Sequence, residues 1–293
     1  MKLAVSMWSY FHTWKGGHFN LGTFIREAKK AGADGVELLD FFYNEPDKPR
    51  REEFSEKYLE PRRRQVMEAL KDTGLRVPIF SVSNNFAKTD PELRDLALRK
   101  IEFGLAEAAE YGASVVRVFA GDISEGVTYE QAYDWIIEGL AVASKVADEE
   151  GMKLALENHG KLAGRGDQVK KIIEDVRAAA GNDALGANPD TGNFMLVNQP
   201  SHEAIKVVAP LANMVHFKDF VKEPAGHEGF AYDALDGTRY VGMAVGEGEV
   251  ELGQCIQELK DAGFNGWLSV EYEGEEDPMT AVPRSIANAR KFL

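Results

Sequence analysis

Residues 151–159 read GMKLALENH. A glycine suited to ending a helix is followed at once by a short β-rich run. Successive side chains of a strand alternate faces, so Lys153, Ala155, Glu157 and His159 share one side. Leu154 and Leu156 take the other, where helices would cover them. The same unit recurs along the chain. β-rich runs at Leu3–Tyr10, Gly35–Phe42, Val77–Phe86, Ser114–Ala120, Lys153–His159, Leu185–Asp190, Met214–Phe220 and Trp267–Tyr272 alternate with long amphipathic runs. Asn20 and Asp90 stand where helix caps belong, and Pro61 where a helix can open. Gly32, Gly74, Gly112, Gly151, Gly181 and Gly263 separate a helix from the next strand, and glycine there takes the left-handed conformation that ends a helix.

Strands alternating with helices imply parallel pairing. Eight such units in 293 residues predict an α/β chain folded as one (β/α)8 TIM barrel over residues 1–293. The alternative, a doubly wound open sheet, would call for a glycine-rich phosphate turn after the first strand, and none is there. The run VGMAVGEG at 241–248 matches no phosphate-loop or dinucleotide pattern. The connection over 221–250 is out of scale and rich in glycine. Loops of that length in a compact domain are usually functional or disordered. It reads either as a lid or subunit contact at the C-terminal face, or as a tolerated surface insertion.

Lys and Arg number 34 against 48 Asp and Glu, a net charge of −14, which argues against a nucleic-acid partner. With 44% hydrophobic and 28% charged residues, the composition is that of a globular protein and excludes disorder or collagen-like structure. Cys255 is the only cysteine, so no intrachain disulfide forms, which fits a reducing compartment. The first residues, MKLAVSMWSYFHTW, lack the apolar core of a signal peptide, and no run approaches ~18 apolar residues. The expectation is a cytoplasmic protein with no membrane partner.

Alternation also places ligand-type side chains. Gly186, Asn188 and Asp190 share a face of the sixth run; Met214, His216 and Lys218 one of the seventh; Trp267, Ser269, Glu271 and Glu273 one of the eighth. Glu157, Asp190, His216 and Glu271 thus come one from each of four consecutive strands, all at the end where barrel enzymes carry their chemistry. Three carboxylates and an imidazole in one pocket repel unless neutralised, and a divalent cation resolves that repulsion. Oxygen donors with one imidazole suit Mn²⁺, Mg²⁺, Co²⁺ or Fe²⁺ and allow Zn²⁺. Trp8, Phe41, Phe42, Phe86 and Phe119 lie near strand ends, where they stack on a sugar ring or simply pack.

The motifs ALENH around Glu157, NPDTGN at 188–193, VHFKD around His216, GEG at 246–248 and GWLSVE ending at Glu271 resemble the xylose isomerase-like TIM-barrel family, the sugar phosphate isomerases/epimerases. The opening GADGVEL at 32–38 and VRVF at 116–119 are similar to it too. The resemblance implies a small-molecule sugar substrate, one divalent cation with Mn²⁺ as the first expectation, and a homo-oligomer, dimer or tetramer. It implies Glu157, Asp190, His216 and Glu271 as metal ligands, with the two glutamates trading a proton with carbon. The chain departs from the ketose 3-epimerase pattern at Asn193, where those enzymes often carry histidine.

Further expectations attach to single residues. His159 acts as acid/base, orients the substrate or is structural. Asn193 and Lys222 (or Lys218) are expected to contact the substrate, as is Arg117 if it points inward, while Glu37 binds a sugar hydroxyl or supports the barrel mouth. The first functional reading is a metal-dependent isomerase or epimerase of a small ketose or keto-sugar, through an enediolate. The second is a lyase on a 3-oxo sugar or oxo-acid that uses the same enolate. An apurinic-site endonuclease on this barrel would need several additional histidines, and the chain has only six in all.

Overall fold

Short apolar runs bounded by helix-stopping glycines pair side by side in the structure, a computed structural model that describes residues 1–17, 19–123 and 126–293. In chain order the strands are β1 (Lys2–Ser6), β2 (Gly35–Leu39), β3 (Arg76–Ser81), β4 (Val115–Val118), β5 (Lys153–Glu157), β6 (Leu185–Asn188), β7 (Val215–Phe217), β8 (Asp219–Lys222), β9 (Tyr232–Asp233), β10 (Arg239–Met243) and β11 (Trp267–Val270). Eight pair in the order β6-β5-β4-β3-β2-β1-β11-β7, with every ladder parallel. The two ends of that sheet meet at the Asp190↔His216 bridge, where Thr191 N–H donates to His216 O at 3.1 Å and His216 N–H to Pro189 O at 3.0 Å. The result is a (β/α)8 barrel, and the open-sheet alternative is excluded.

Alternation sorts the strands into two faces. Leu154, Leu156, Leu185, Phe217, Leu268 and Val270 point outward and bury against the helices. Inside, Ala4, Ile79, Ala155 and Met214, with Val115 and Trp267, fill the barrel floor. One layer higher the inward residues turn polar: Ser6, Glu37, Ser81, Arg117, Glu157, Asn188, His216 and Ser269 are all buried. That polar layer carries the site on an apolar plug. Helix caps follow the sequence at Asn20 and Asp90, whose side chains accept from Thr23 and Glu92 N–H, and Thr128 adds a further cap that accepts from Gln131 N–H.

Several boundaries differ from expectation. The strands are shorter than the apolar runs, because the residues beyond them leave the ladder and pack as one-turn helices. Met7–Tyr10 follows β1, with the Ser6 side chain accepting from Trp8 N–H, and Asp40–Tyr43 follows β2. Phe42 and Phe86 are buried there as core, not aimed at a substrate. The helix expected to open at Pro61 runs Glu56–Thr73 and carries Pro61 inside it, on an exposed stretch where water can satisfy the unpaired carbonyl.

The seventh apolar run is two strands. β7 belongs to the barrel, while β8 pairs antiparallel with β10, which pairs with β9. Residues 221–250 therefore carry most of a small antiparallel sheet, joined by turns. Phe220, Ala234 and Tyr240 pack there against Met195, Leu196 and Tyr232. Its return is pinned by the buried Asp219 carboxylate, which accepts from Gly246 N–H at 2.8 Å, Gly248 N–H at 2.9 Å and Val250 N–H at 3.1 Å. Gly248 is required by that clasp, since a Cβ there would lie 2.3 Å from Asp219 Oδ1. Among the described residues no helix is long and apolar enough to cross a membrane.

Candidate metal centre

Glu157 ends β5, Asp190 follows β6 by two residues, His216 lies in β7 and Glu271 follows β11. The barrel brings one donor atom of each to within 4.8 Å of the others, and all four residues are buried. His216 Nδ1 lies 3.4 Å from Glu157 Oε2, 3.9 Å from Asp190 Oδ2 and 3.6 Å from Glu271 Oε2.

Each donor is aimed by a partner on its far side. Glu37 is fully buried beneath His216. It accepts from Ser269 Oγ at 2.6 Å and from Ser81 Oγ, and lies 3.0 Å from His216 Nε2. A proton on Nε2 donated to Glu37 leaves Nδ1 facing the other carboxylates, the usual way an outer carboxylate orients a ligating imidazole. Asp190 Oδ1 accepts from Gly192 N–H at 2.8 Å and Asn193 N–H at 3.0 Å, which turns Oδ2 inward. Asn193 Nδ2 donates to Asn158 O at 3.0 Å and reaches Glu157 Oε1 at 3.4 Å. Ser6 Oγ donates to Glu271 Oε1 at 3.3 Å.

What remains is informative. Among the described residues Glu157 Oε2, Asp190 Oδ2 and His216 Nδ1 are buried without a hydrogen-bond partner. Leaving a buried polar atom unpaired costs about 1–3 kcal/mol, and here three such atoms face one another. Their only opposite charges besides each other are Arg117 Nε, 3.1 Å from Glu157, and Lys218 Nζ, 3.0 Å from Asp190. Three carboxylates and one imidazole with inward lone pairs fit a divalent cation such as Mg²⁺, Mn²⁺, Co²⁺ or Zn²⁺.

The charges are tightly coupled. Burial pushes the His216 pKa down, but Glu37, Glu271 and Glu157 outweigh it and raise it to about 10. Burial would raise Glu271, yet Lys218 and His216 hold it at about 2. Glu157 is raised, because burial exceeds the pull of His216 and Arg117. Lys218 is the second cation of the centre: its ammonium stands 2.7 Å from Glu271 Oε2 and 3.1 Å from Glu273 Oε2.

Above the donors lies a pocket of ≈ 240 Å³, whose walls include Trp8, Phe41, Arg117, Phe119, Lys218 and Glu273. Of the residues considered as substrate contacts, Glu37, Asn193 and Lys222 do not line it, and Arg117 does. Glu37 does not reach the pocket, since Ser81, Ser269 and His216 occupy its carboxylate. Asn193 faces the backbone at Asn158 and steadies Glu157. Lys222 is exposed on β8, facing away, because the strand expected to continue from His216 has by then left the barrel. Arg117 does line the pocket, but its guanidinium is engaged: it donates to Val82 O at 3.0 Å and lies 3.9 Å over the Phe119 ring. His159 has left β5, so alternation no longer governs it. It is exposed at the rim, 4.9 Å from the Phe119 ring. Lys218, the alternative to Lys222 and on the His216 face by parity, is the lysine that lines the pocket.

The chain matches the family described as xylose isomerase-like TIM barrel over residues 25–292. It belongs to that family. An inosose dehydratase of Bacillus thuringiensis is similar to this xylose isomerase-like barrel at 25% identity over 276 residues, 92% of this chain and 87% of that protein. An inosose dehydratase of Clostridium perfringens is 26% identical over 191 residues, so the match spans 63% of this chain and 62%, under two thirds, of that relative. A solved IOLI protein with a bound zinc atom superposes over 100% of this chain and 96% of its own with a TM-score of 0.73 at 19% identity. The 3-keto-D-glucoside 4-epimerase YcjR from E. coli superposes over 99% of both chains with a TM-score of 0.71 at 17% identity. At those identities the structural likeness speaks for the fold. The relatives that match by sequence bear an enzyme's name, inosose dehydratase.

Proposed function

We propose that this barrel is a divalent-metal-dependent lyase that removes water from a polyhydroxylated cyclic ketone, through the enolate formed beside the carbonyl. The observation that carries the reading is the set of inward, unpartnered donors of Glu157, Asp190 and His216 facing Glu271 at the floor of a pocket sized for one small ring. The curated relatives, named as dehydratases, favour water loss as the outcome. When bound, the cation supplies a Lewis acid that polarises the ketone and stabilises negative charge on its oxygen.

The chain's own residues supply the rest. Glu157 and Glu271 come from strands on different sides of the centre and flank the ring, so either carboxylate meets a C–H beside the carbonyl. The C–H bond breaks and its electron pair becomes the new C=C; the C–O bond at the β carbon breaks, and the hydroxide leaves with a proton as water. His159, at the rim, is placed to hand over that proton. Lys218 keeps Glu271 ionised and fixed. Arg117 and Asn193 hold Glu157 in place, and Trp8, Phe41 and Phe119 give the ring an apolar wall.

A specific observation favours a second outcome. Two glutamates around one ring are what epimerisation needs, one to take a proton and the other to return it to the opposite face. Incubation with a panel of inososes and 3-oxo sugars in deuterated water, with Mg²⁺ or Mn²⁺, separates the two. Loss of one water with His159→Asn slowing that loss more than C–H exchange supports the lyase. Deuterium incorporation at constant mass assigns the epimerase. No exchange in any compound removes the enolate reading.

A further inference from the structure

We propose that the substrate carries a second, uncharged aromatic group on its sugar or cyclitol ring, held in a separate chamber at the barrel mouth. The catalytic pocket of ≈ 240 Å³ falls below the ~300–1,000 Å³ usual for ligand sites. It does not end there. Trp8, His159 and Glu273 line both it and an adjoining chamber of ≈ 860 Å³. A ring seated over the metal donors therefore has open, walled space beside it more than large enough for a second ring.

The chemistry of those walls selects the occupant. Aromatic faces converge from three parts of the chain: Trp8 and Phe11 after β1, Phe230 and Tyr232 from the antiparallel sheet, and Tyr272 after β11. Phe230 is 66% exposed and meets Tyr232 edge-on with ring centroids 4.8 Å apart. Its significance lies in its place on the wall of the chamber beside the other aromatic rings, not in its exposure alone. Four carboxylates, Glu273, Glu275, Glu276 and Asp277, share the chamber with His12 and His159, and among the described residues no Lys or Arg lines it. A phosphate or carboxylate on the substrate would be repelled there.

Those carboxylates are already committed. Glu275 accepts from Phe230 N–H at 2.8 Å and pairs with His227; Glu276 pairs with Arg284; Glu273 pairs with Lys218 at 3.1 Å; Asp277 accepts from Met279 N–H at 3.0 Å. They are poorly placed to collect the hydroxyls of a second sugar, whereas Phe230 offers an exposed ring beside the half-buried Trp8, Phe11 and Tyr232. A flat neutral ring satisfies both conditions. The insertion at 221–250 then has a use: β9 and the turn before it bring Phe230 and Tyr232 over the mouth.

The inference rests on the proposed ring ketone for its direction, but its test does not. Phenyl and methyl β-D-glucosides lack the ketone, so neither can react. Their affinities for the Mg²⁺-loaded protein, read by saturation-transfer NMR and calorimetry, isolate the chamber. Phenyl should bind about tenfold more tightly than methyl, the effect of burying one ring face. Phe230→Ala, at an exposed position that leaves folding intact, should reduce that preference to threefold or less, and a 6-phospho phenyl glucoside should bind more weakly than its parent. Equal binding of the two glucosides overturns the proposal, as does a preference unchanged in Phe230→Ala. So does a Phe230→Ala variant that instead shifts a dimer to monomer on sedimentation, which would assign the aromatic rim to a second copy of the chain. Failure of solvent exchange in every ketone, with the phenyl preference intact, would count against the enolate alone.

Discussion

Glu37 lies outside the donor set, and its replacement tests how the donors are aimed. Its carboxylate gathers Ser81, Ser269 and His216, all buried, in one hydrogen-bonded knot. Glu37→Gln keeps the shape and one acceptor oxygen but removes the negative charge opposite the imidazole. The His216 ring then loses a charge-assisted bond, and Nδ1 loses both basicity and a fixed direction. Outer partners of ligating histidines are worth roughly tenfold to a hundredfold in metal affinity, about 1.4–2.8 kcal/mol. Calorimetric titration of Mg²⁺ or Mn²⁺ into the metal-free variant should show that loss, with the circular dichroism spectrum unchanged. Wild-type affinity in a folded Glu37→Gln protein would refute the idea that Glu37 sets the imidazole.

Lys218→Ala should lower turnover about a hundredfold or more by removing the buried charge beside Glu271, while Lys222→Ala, on the exposed edge of β8, should leave it within about twofold of wild type on the ordinary scale for surface substitutions. Met214→Ala empties part of the barrel floor and should cost about 2–5 kcal/mol in denaturant unfolding while leaving the donors in place. Asp34 links β1 to the C-terminal helix: burial pushes its carboxyl up, but Leu3 N–H and Arg290 pull it further down, below its usual range. Its folded pKa is thus the lower one, and its contribution is present above the unfolded value of about 3.9 and lost as pH falls through the folded one. Asp34→Asn should lower the melting temperature at neutral pH, with the difference from wild type closing in strong acid.

Much of the site was legible because strand alternation is a rigid rule while a strand lasts. It aimed Glu157 and His216 inward and carried Asp190 and Glu271 to the same depth, since both still bond across the barrel past their strands, Asp190 through its bridge to His216 and Glu271 N–H to Phe217 O at 3.2 Å. The rule fails once the ladder ends. Phe42 and Phe86 lie past the ends of their strands and turn into the core, while His159, also past its strand, stays at the rim of the pocket that Glu157 lines. Lys222 was misplaced for the same reason, as the chain leaves the barrel at Lys218 and starts a new sheet. Glu37 could be read either as a substrate contact or as a support, because its partners, Ser81, His216 and Ser269, come from β3, β7 and β11 and are adjacent only after closure. The insertion hid its strands behind glycines, and the clasp of Asp219 on Gly246, Gly248 and Val250 depends on a fold that no local pattern spells out.

Anomalous diffraction from crystals of this protein grown with Mn²⁺ tests the centre most directly. One strong peak per chain is expected, about 2.0–2.3 Å from its nearest donors, which should be Glu157 Oε2, Asp190 Oδ2, His216 Nδ1 and Glu271. A peak elsewhere with none among those four side chains would contradict the account.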